Sequence, residues 1–239
     1  MNEPVRHFAT TQWSLVLAAA GDEETSRQAL AELCQQYWPP LYAYIRRRGH
    51  SADDAQDLTQ AFFVFVLEKR TLEAADRQRG RFRSLLLSSL NHFIANHRRG
   101  AHTERRGGGV VHLPFDFDDG ERIVRNEPAD HLTPERLFDR RWALTVLDAS
   151  LEHLEQEYDA AGKGEIFAVL RAFLTPAADA PRYRDIAERF DMTEGAVKVA
   201  VHRLRRRYGE VLRERVAQTL ASPEDVDDEL RHLLAAFGD

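Results

Sequence analysis

Between Arg182 and Arg207 the chain sets a short apolar helix, a break and a basic helix end to end. Tyr183, Ile186, Ala187 and Phe190 recur at spacings of three and four, which predicts one buried helical face. Asp191-Met192-Thr193 interrupts that period, and the Thr193 hydroxyl suits the cap of a new helix, where it accepts a backbone N–H. In that second helix Ala196, Val197, Ala200 (or Val201) and Leu204 make the inner stripe. Glu194, Lys198, His202, Arg203, Arg205, Arg206 and Arg207 are left facing out. Two helices joined by so short a turn predict a helix-turn-helix, whose second helix enters the major groove of DNA. Arg182, Thr193, Glu194, Lys198, His202, Arg203 and Arg206 are the DNA-binding candidates here, by hydrogen bonds to base edges and phosphates. A plain amphipathic hairpin with a solvated basic face is the alternative. The acids gather on the first helix and the bases on the second, which favours DNA.

A second basic region lies upstream. Residues 77–106 hold Arg77, Arg79, Arg81, Arg83, Arg98, Arg99, Arg105 and Arg106 against the single acid Glu104. Guanidinium groups at that density predict a surface for an anionic partner. Residues 116–139 and 216–239 are acidic, so the net charge of −6 averages over surfaces of opposite sign. Catalytic chemistry is poorly supplied. No His-x-x-x-His or Cys-x-x-Cys pair offers a metal site, and no Ser/His/Asp constellation stands out. Gly107-Gly108-Gly109 lacks the Gly-Lys-Ser/Thr ending of a phosphate loop. The expectation is a binding protein, not an enzyme, with no metal and no cofactor.

The elements that position these groups are helical. Trp13, Val16 and Leu17 follow a Thr10 or Thr11 cap; Leu30, Leu33 and Tyr37 carry a second helix until Pro39-Pro40 breaks or kinks it. Leu41, Tyr44 and Ile45 continue to Arg48, and Gly49 stops the run. Ser51, with Asp54 three residues on, opens a helix whose inner face is Ala55, Leu58, Phe62, Phe65 and Val66. Leu86, Leu90, Phe93 and Ile94 place another over about 82–99. From 100 to 132 glycine, proline and aspartate mark a flexible acidic linker. Thr133-Pro134-Glu135 restarts order, and Leu137, Trp142, Leu144, Leu147, Leu151 and Leu154 carry a long helix. Ile166, Val169, Leu170 and Phe173 form the next. Ser222-Pro223-Glu224-Asp225 opens a last helix striped by Val226, Leu230, Leu233, Leu234 and Phe237. The fold class expected is all-α. Two small helical domains, 1–99 and 133–215, flank the linker 100–132, and an acidic amphipathic extension, 216–239, follows. With 43% hydrophobic residues both domains can bury cores. The one cysteine, Cys34, precludes an internal disulfide, fits a reducing cytoplasm and reads as a small buried hydrophobe. No apolar run reaches the ~20 residues that cross a bilayer, and the amino terminus has no signal-peptide pattern.

Three motifs in this order resemble a known family. Asp54-Ala55-Gln56-Asp57-Leu58-Thr59-Gln60-Ala61-Phe62-Phe63 is the first; Arg81-Phe82-Arg83 through Arg98-Arg99 is the second. Tyr183-Arg184-Asp185-Ile186-Ala187-Glu188 with Thr193-Glu194-Gly195-Ala196-Val197-Lys198 is the third. Over roughly residues 24–215 the chain is similar to the extracytoplasmic-function sigma factors of bacterial RNA polymerase, within the sigma-seventy family. The resemblance implies that Asp53, Asp57, Gln60 and Val64 meet core RNA polymerase. It implies that Arg79, Arg81, Arg83, His92, Asn96, Arg98 and Arg99 work on the promoter element nearer the start site, with Phe82 either a stacking ring or core. The 182–207 region would read the upstream element of promoter DNA. The pattern departs from the family at Leu85, where tryptophan is frequent, and at His92 and Asn96, where Asn and Asp are. It departs also at Gln56 and Ala61, where glutamate is common. The acid-poor helix contains Thr59, and some groups of the family are switched on when a Ser/Thr kinase phosphorylates such a threonine, adding about −1.5 to −2 charges; an unregulated helical threonine is the alternative. Partners implied are core polymerase, promoter DNA, and a Ser/Thr kinase or anti-sigma factor. For the acidic extension two expectations stand: folding back on the basic reading surface, or packing its apolar stripe on the second domain. The competing functional class is a helix-turn-helix regulator acting without polymerase.

Overall fold

A computed structural model describes residues 23–69, 81–100, 115–125, 132–174, 181–220 and 222–238. Among them are nine α-helices and no strand, so the described chain is mostly helical. The helices are α1 (Glu23–Arg47), α2 (Ala52–Lys69), α3 (Phe82–Gly100), α4 (Phe117–Arg125), α5 (Pro134–Ala160), α6 (Gly164–Leu170), α7 (Tyr183–Arg189), α8 (Glu194–Gln218) and α9 (Val226–Ala235). The helix expected around Trp13 lies outside the described residues, as do Arg77, Arg79 and the triple glycine. None of the described helices is long and apolar enough to cross a membrane. The chain divides into two compact units, Met1–Ala143 with Ala217–Asp239, and Leu144–Val216.

The first unit is built on α1. Pro39 and Pro40 sit inside it and do not end it. An interior proline removes a helical hydrogen bond and costs about 3 kcal/mol. Here the residues around the pair, Tyr37, Trp38 and the whole run Leu41–Ile45, are buried, and packing outweighs the local penalty. Past Arg47 the chain turns at Gly49, whose φ of +88° is open to glycine and strained for other residues. The Ser51 hydroxyl accepts the Asp54 N–H at 3.1 Å and donates to the Asp54 carboxylate at 2.8 Å, so the expected cap is formed. Phe62, Phe63, Phe82, Leu86, Leu90, Phe138 and Trp142 complete the core. Phe82, either a stacking ring or core on sequence grounds, is fully buried against Tyr37 at 5.3 Å and belongs to that core. Cys34 is buried too, and burial pushes its thiol up to about 12. The thiolate is the nucleophile, so the folded protein should be inert to a thiol reagent near neutral pH. Titration with a chromogenic disulfide should find no reactive thiol until denaturant is added; rapid labelling of the native chain would contradict this.

Two sequence expectations change here. Residues 100–132 are not linker throughout. Phe115 stacks on Trp38 at 5.5 Å, Phe117 meets it edge-on at 5.3 Å, and α4 lies against α1. A Cβ on Gly120 would come within 2.9 Å of the Trp38 ring, so only glycine permits this approach without movement. Arg46 donates to Glu121 at 2.5 Å and Tyr42 donates to it at 2.6 Å. Burial opposes the Glu121 charge, but these donors more than offset it and hold the carboxyl below its usual range. Nor does the second unit begin at 133. Thr133 caps α5 as expected, but Leu137, Phe138 and Trp142 are buried in the first unit, with Trp142 stacked on Tyr37 at 4.4 Å. The first turns of α5 belong there.

The second unit comprises the rest of α5, then α6, α7 and α8. Leu154, Phe167, Leu170, Ile186, Val197, Val201, Leu204 and Val211 form its core. Burying each large apolar side chain contributes roughly 1.5–3 kcal/mol, which is ample for a unit this small to hold one arrangement.

Candidate nucleic-acid interface and partner-binding face

In the second unit, α7 ends when Phe190 N–H bonds the Ile186 carbonyl at 3.0 Å and Met192 N–H bonds the Ala187 carbonyl at 2.9 Å. The reversal places Asp191 at φ +51°, a left-handed conformation that aspartate adopts more readily than most residues. Thr193 Oγ1 then accepts the Ala196 N–H at 3.1 Å, starting α8 where the sequence predicts. Val197, Val201 and Leu204 turn inward; Ala196, expected inside, is exposed instead, and Ala200 is half-buried. The outward face carries Glu194, Lys198, His202, Arg203 and Arg206, all exposed, with Arg182 and Thr193 exposed before it.

Some of the bases on α8 are already engaged. Arg207 donates to Glu157 at 2.5 and 3.1 Å, and those hydrogen bonds hold Glu157 below, and Arg207 above, their ordinary pKa values. Arg205 donates to the Phe173 carbonyl at 3.0 Å. Both arginines, expected to point outward, brace α8 against the rest of its unit. Arg206 makes only an exposed pair with Glu210 at 3.2 Å, a contact of small worth. Tyr183 stacks on Phe173 at 5.1 Å and lies 5.9 Å from the Lys198 ammonium, which ties the start of α8 to α7.

In the first unit, Asp53 and Asp57 are exposed and Gln60 and Val64 half-buried along α2, opposite the fully buried Phe62. The four do share a face. Thr59 does not join them. It is fully buried, and its hydroxyl donates to the Ala55 carbonyl at 2.6 Å. A kinase cannot reach that oxygen in this arrangement, because the helical twist carries position 59 to the core side.

The promoter-proximal candidates separate. His92 and Asn96, one turn apart on α3, are exposed; Arg79 and the side chains of Arg98 and Arg99 lie outside the described residues. Arg83 is 4% exposed, so no phosphate reaches it while its acidic partners are in place. Its guanidinium donates to Glu229 at 2.7 Å and also pairs with Asp139. Arg81 pairs with the other Glu229 oxygen at 2.6 Å. Next to these contacts Phe82 N–H bonds the Thr219 carbonyl at 3.1 Å, and Arg81 and Leu220 form an isolated antiparallel bridge. Thus the acidic extension is part of the first unit, against both expectations for it. Its helix α9 buries Val226, Glu229 and Leu233, while Leu234 is 62% exposed, so the buried stripe lies about one residue away from the apolar one read in the sequence.

No family model, curated protein or solved structure matches this chain.

Sequence reasoning passed over two features of this surface. Val199 is 49% exposed beside Lys198 and His202, an apolar group on the outward face of α8. Its signal was there: position 199 falls off the 197–201–204 stripe. The Arg83–Glu229 pair, separated by 146 residues, left no local signal at all. The described residues hold no group of three or more metal-ligating side chains.

Proposed function

We propose that this chain is a transcription initiation factor of the sigma type, which joins bacterial core RNA polymerase and takes it to chosen promoters. The observation that carries the reading is the α7–turn–α8 element, with a threonine-capped second helix presenting Lys198, His202, Arg203 and Arg206 on one exposed face. The outward carboxylates of Asp53 and Asp57 support it, since they suit arginines on a polymerase clamp. The work is binding rather than bond-making. In this reading α2 docks on the enzyme, the second unit contacts the upstream promoter element, and α3 contacts the element nearer the start site. There Arg79, Arg81, Arg98 and Arg99 serve phosphates, and His92 and Asn96 serve bases taken out of the duplex. The protein acts in the bacterial cytoplasm, as two helical domains that contact one promoter at two places.

Retention on immobilised core RNA polymerase tests the reading. The wild type should be held, and Asp53→Lys/Asp57→Lys should bind at least tenfold more weakly with unchanged thermal unfolding. A chain that polymerase ignores, yet which footprints paired half-sites alone, would instead be a stand-alone regulator.

A further inference from the structure

Arg81 and Arg83 share one carboxylate, that of Glu229. Two guanidinium groups converge on Glu229: Arg81 meets Oε2 at 2.6 Å, and Arg83 meets Oε1 at 2.7 Å and Oε2 at 3.4 Å. That convergence is how arginine forks hold phosphate, and a carboxylate presents the same two-oxygen edge. Beside the pair opens a cavity of about 450 Å³, lined along α3 by Ser84, Ser88 and Asn91 and from other elements by Glu135, Asp139 and His232. Hydroxyl and amide groups one helical turn apart, leading away from two arginines, can follow a sugar-phosphate backbone.

The segment that fills the site is weakly anchored in apolar terms. The segment buries three hydrophobics, Leu220, Val226 and Leu233, while Leu234 and Phe237 remain exposed. Its polar ties include a backbone hydrogen bond from Phe82, the Arg81–Leu220 bridge, the Arg136–Gly238 carbonyl contact at 3.0 Å, His232 at 3.3 Å from Asp139, and Arg140 over the Phe237 ring at 5.9 Å. A buried ion pair adds little net stability over an apolar replacement of the same volume, so stability alone gives no reason for Glu229 to stand here. Displacing it by phosphate would exchange one charge-assisted contact for another. The exposed acids Glu224, Asp225, Asp227 and Asp228 on the same segment also repel an approaching nucleic acid.

We infer that residues 219–235 are an intramolecular competitor for nucleic acid, with Glu229 occupying the seat of a backbone phosphate between Arg81 and Arg83. The inference rests on the initiation-factor reading, and deepens it: the arginines nearest the melted strand are masked until the acidic segment leaves.

The test uses the full-length chain and a fluorescent single-stranded DNA oligonucleotide, with anisotropy followed across a salt series. Glu229→Gln keeps the shape of the side chain and removes its charge. It should raise affinity about tenfold and steepen the salt dependence by about one to two counterions. Adding Arg81→Gln and Arg83→Gln should abolish the gain. Affinity within twofold of wild type for a folded Glu229→Gln chain overturns the inference. Hydrogen exchange on the wild type decides it if that variant does not fold. Saturating oligonucleotide should speed exchange at residues 219–235, and unchanged or slower exchange overturns the proposal. A chain that binds polymerase and duplex DNA yet shows no Glu229 effect loses only the competitor. One that binds neither loses the functional reading as well.

Discussion

Replacing Trp142 by alanine should destabilise the first unit by about 3–5 kcal/mol, the usual cost of emptying a large buried aromatic site. The indole is fully buried and stacks on Tyr37, which in turn meets Phe82 edge-on. Its Nε1 makes no hydrogen bond to another protein atom, so the loss comes from packing rather than from a broken polar contact. Tyr37 is itself wholly enclosed, and burial pushes its hydroxyl well above the ordinary range, so the emptied space would lie away from solvent. Urea unfolding followed by circular dichroism measures the change, and hydrogen exchange locates it. Protection should fall in α1 and α3, because the first turns of α5 are buried with them. A cost below about 1 kcal/mol, or loss confined to residues 144–216, would contradict this placement of Trp142.

Reversing two charges on α8, Lys198→Glu with Arg203→Glu, should weaken binding to duplex DNA at least a hundredfold at low salt. Each hydrogen bond or ion pair removed from a base or phosphate accounts for about 1–3 kcal/mol, and the acidic replacements add repulsion from the phosphates. The salt dependence should flatten by about one counterion for each phosphate partner given up. Both side chains are exposed, so thermal unfolding should hardly move. The Lys198–Tyr183 contact, at 5.9 Å and on the surface, contributes on the order of 0.5–1 kcal/mol. Arg207→Glu makes the informative contrast. Arg207 is bound to Glu157, so its reversal should reduce stability more than it alters salt dependence. Equal loss of DNA binding from both variants would mean that α8 presents a different face.

What could be read from the sequence was what local chemistry determines. Thr193 and Ser51 cap their helices because a hydroxyl three residues before an unpaired N–H has that partner at hand. Val197, Val201 and Leu204 turn inward because a spacing of three and four admits one face. Long-range competition set the remainder. Pro39 and Pro40 signal a break, yet buried neighbours on both sides keep α1 running through them. Gly120 reads as a linker glycine and serves as the gap that admits Trp38. Arg83 reads as a phosphate contact and is enclosed by Asp139 and Glu229, residues distant in sequence. The acids and bases that mark separate surfaces in the sequence are, at this place, partners. Charge patterning shows which segments could attract one another but not which ones meet.

Run-off transcription on a library of genomic fragments, with purified bacterial core RNA polymerase and this chain added, tests the initiation-factor reading most directly. Discrete transcripts should appear only when the chain is present and should vanish with Lys198→Glu/Arg203→Glu. No chain-dependent transcript from any fragment, with the chain alone protecting paired sites on DNA, would contradict it.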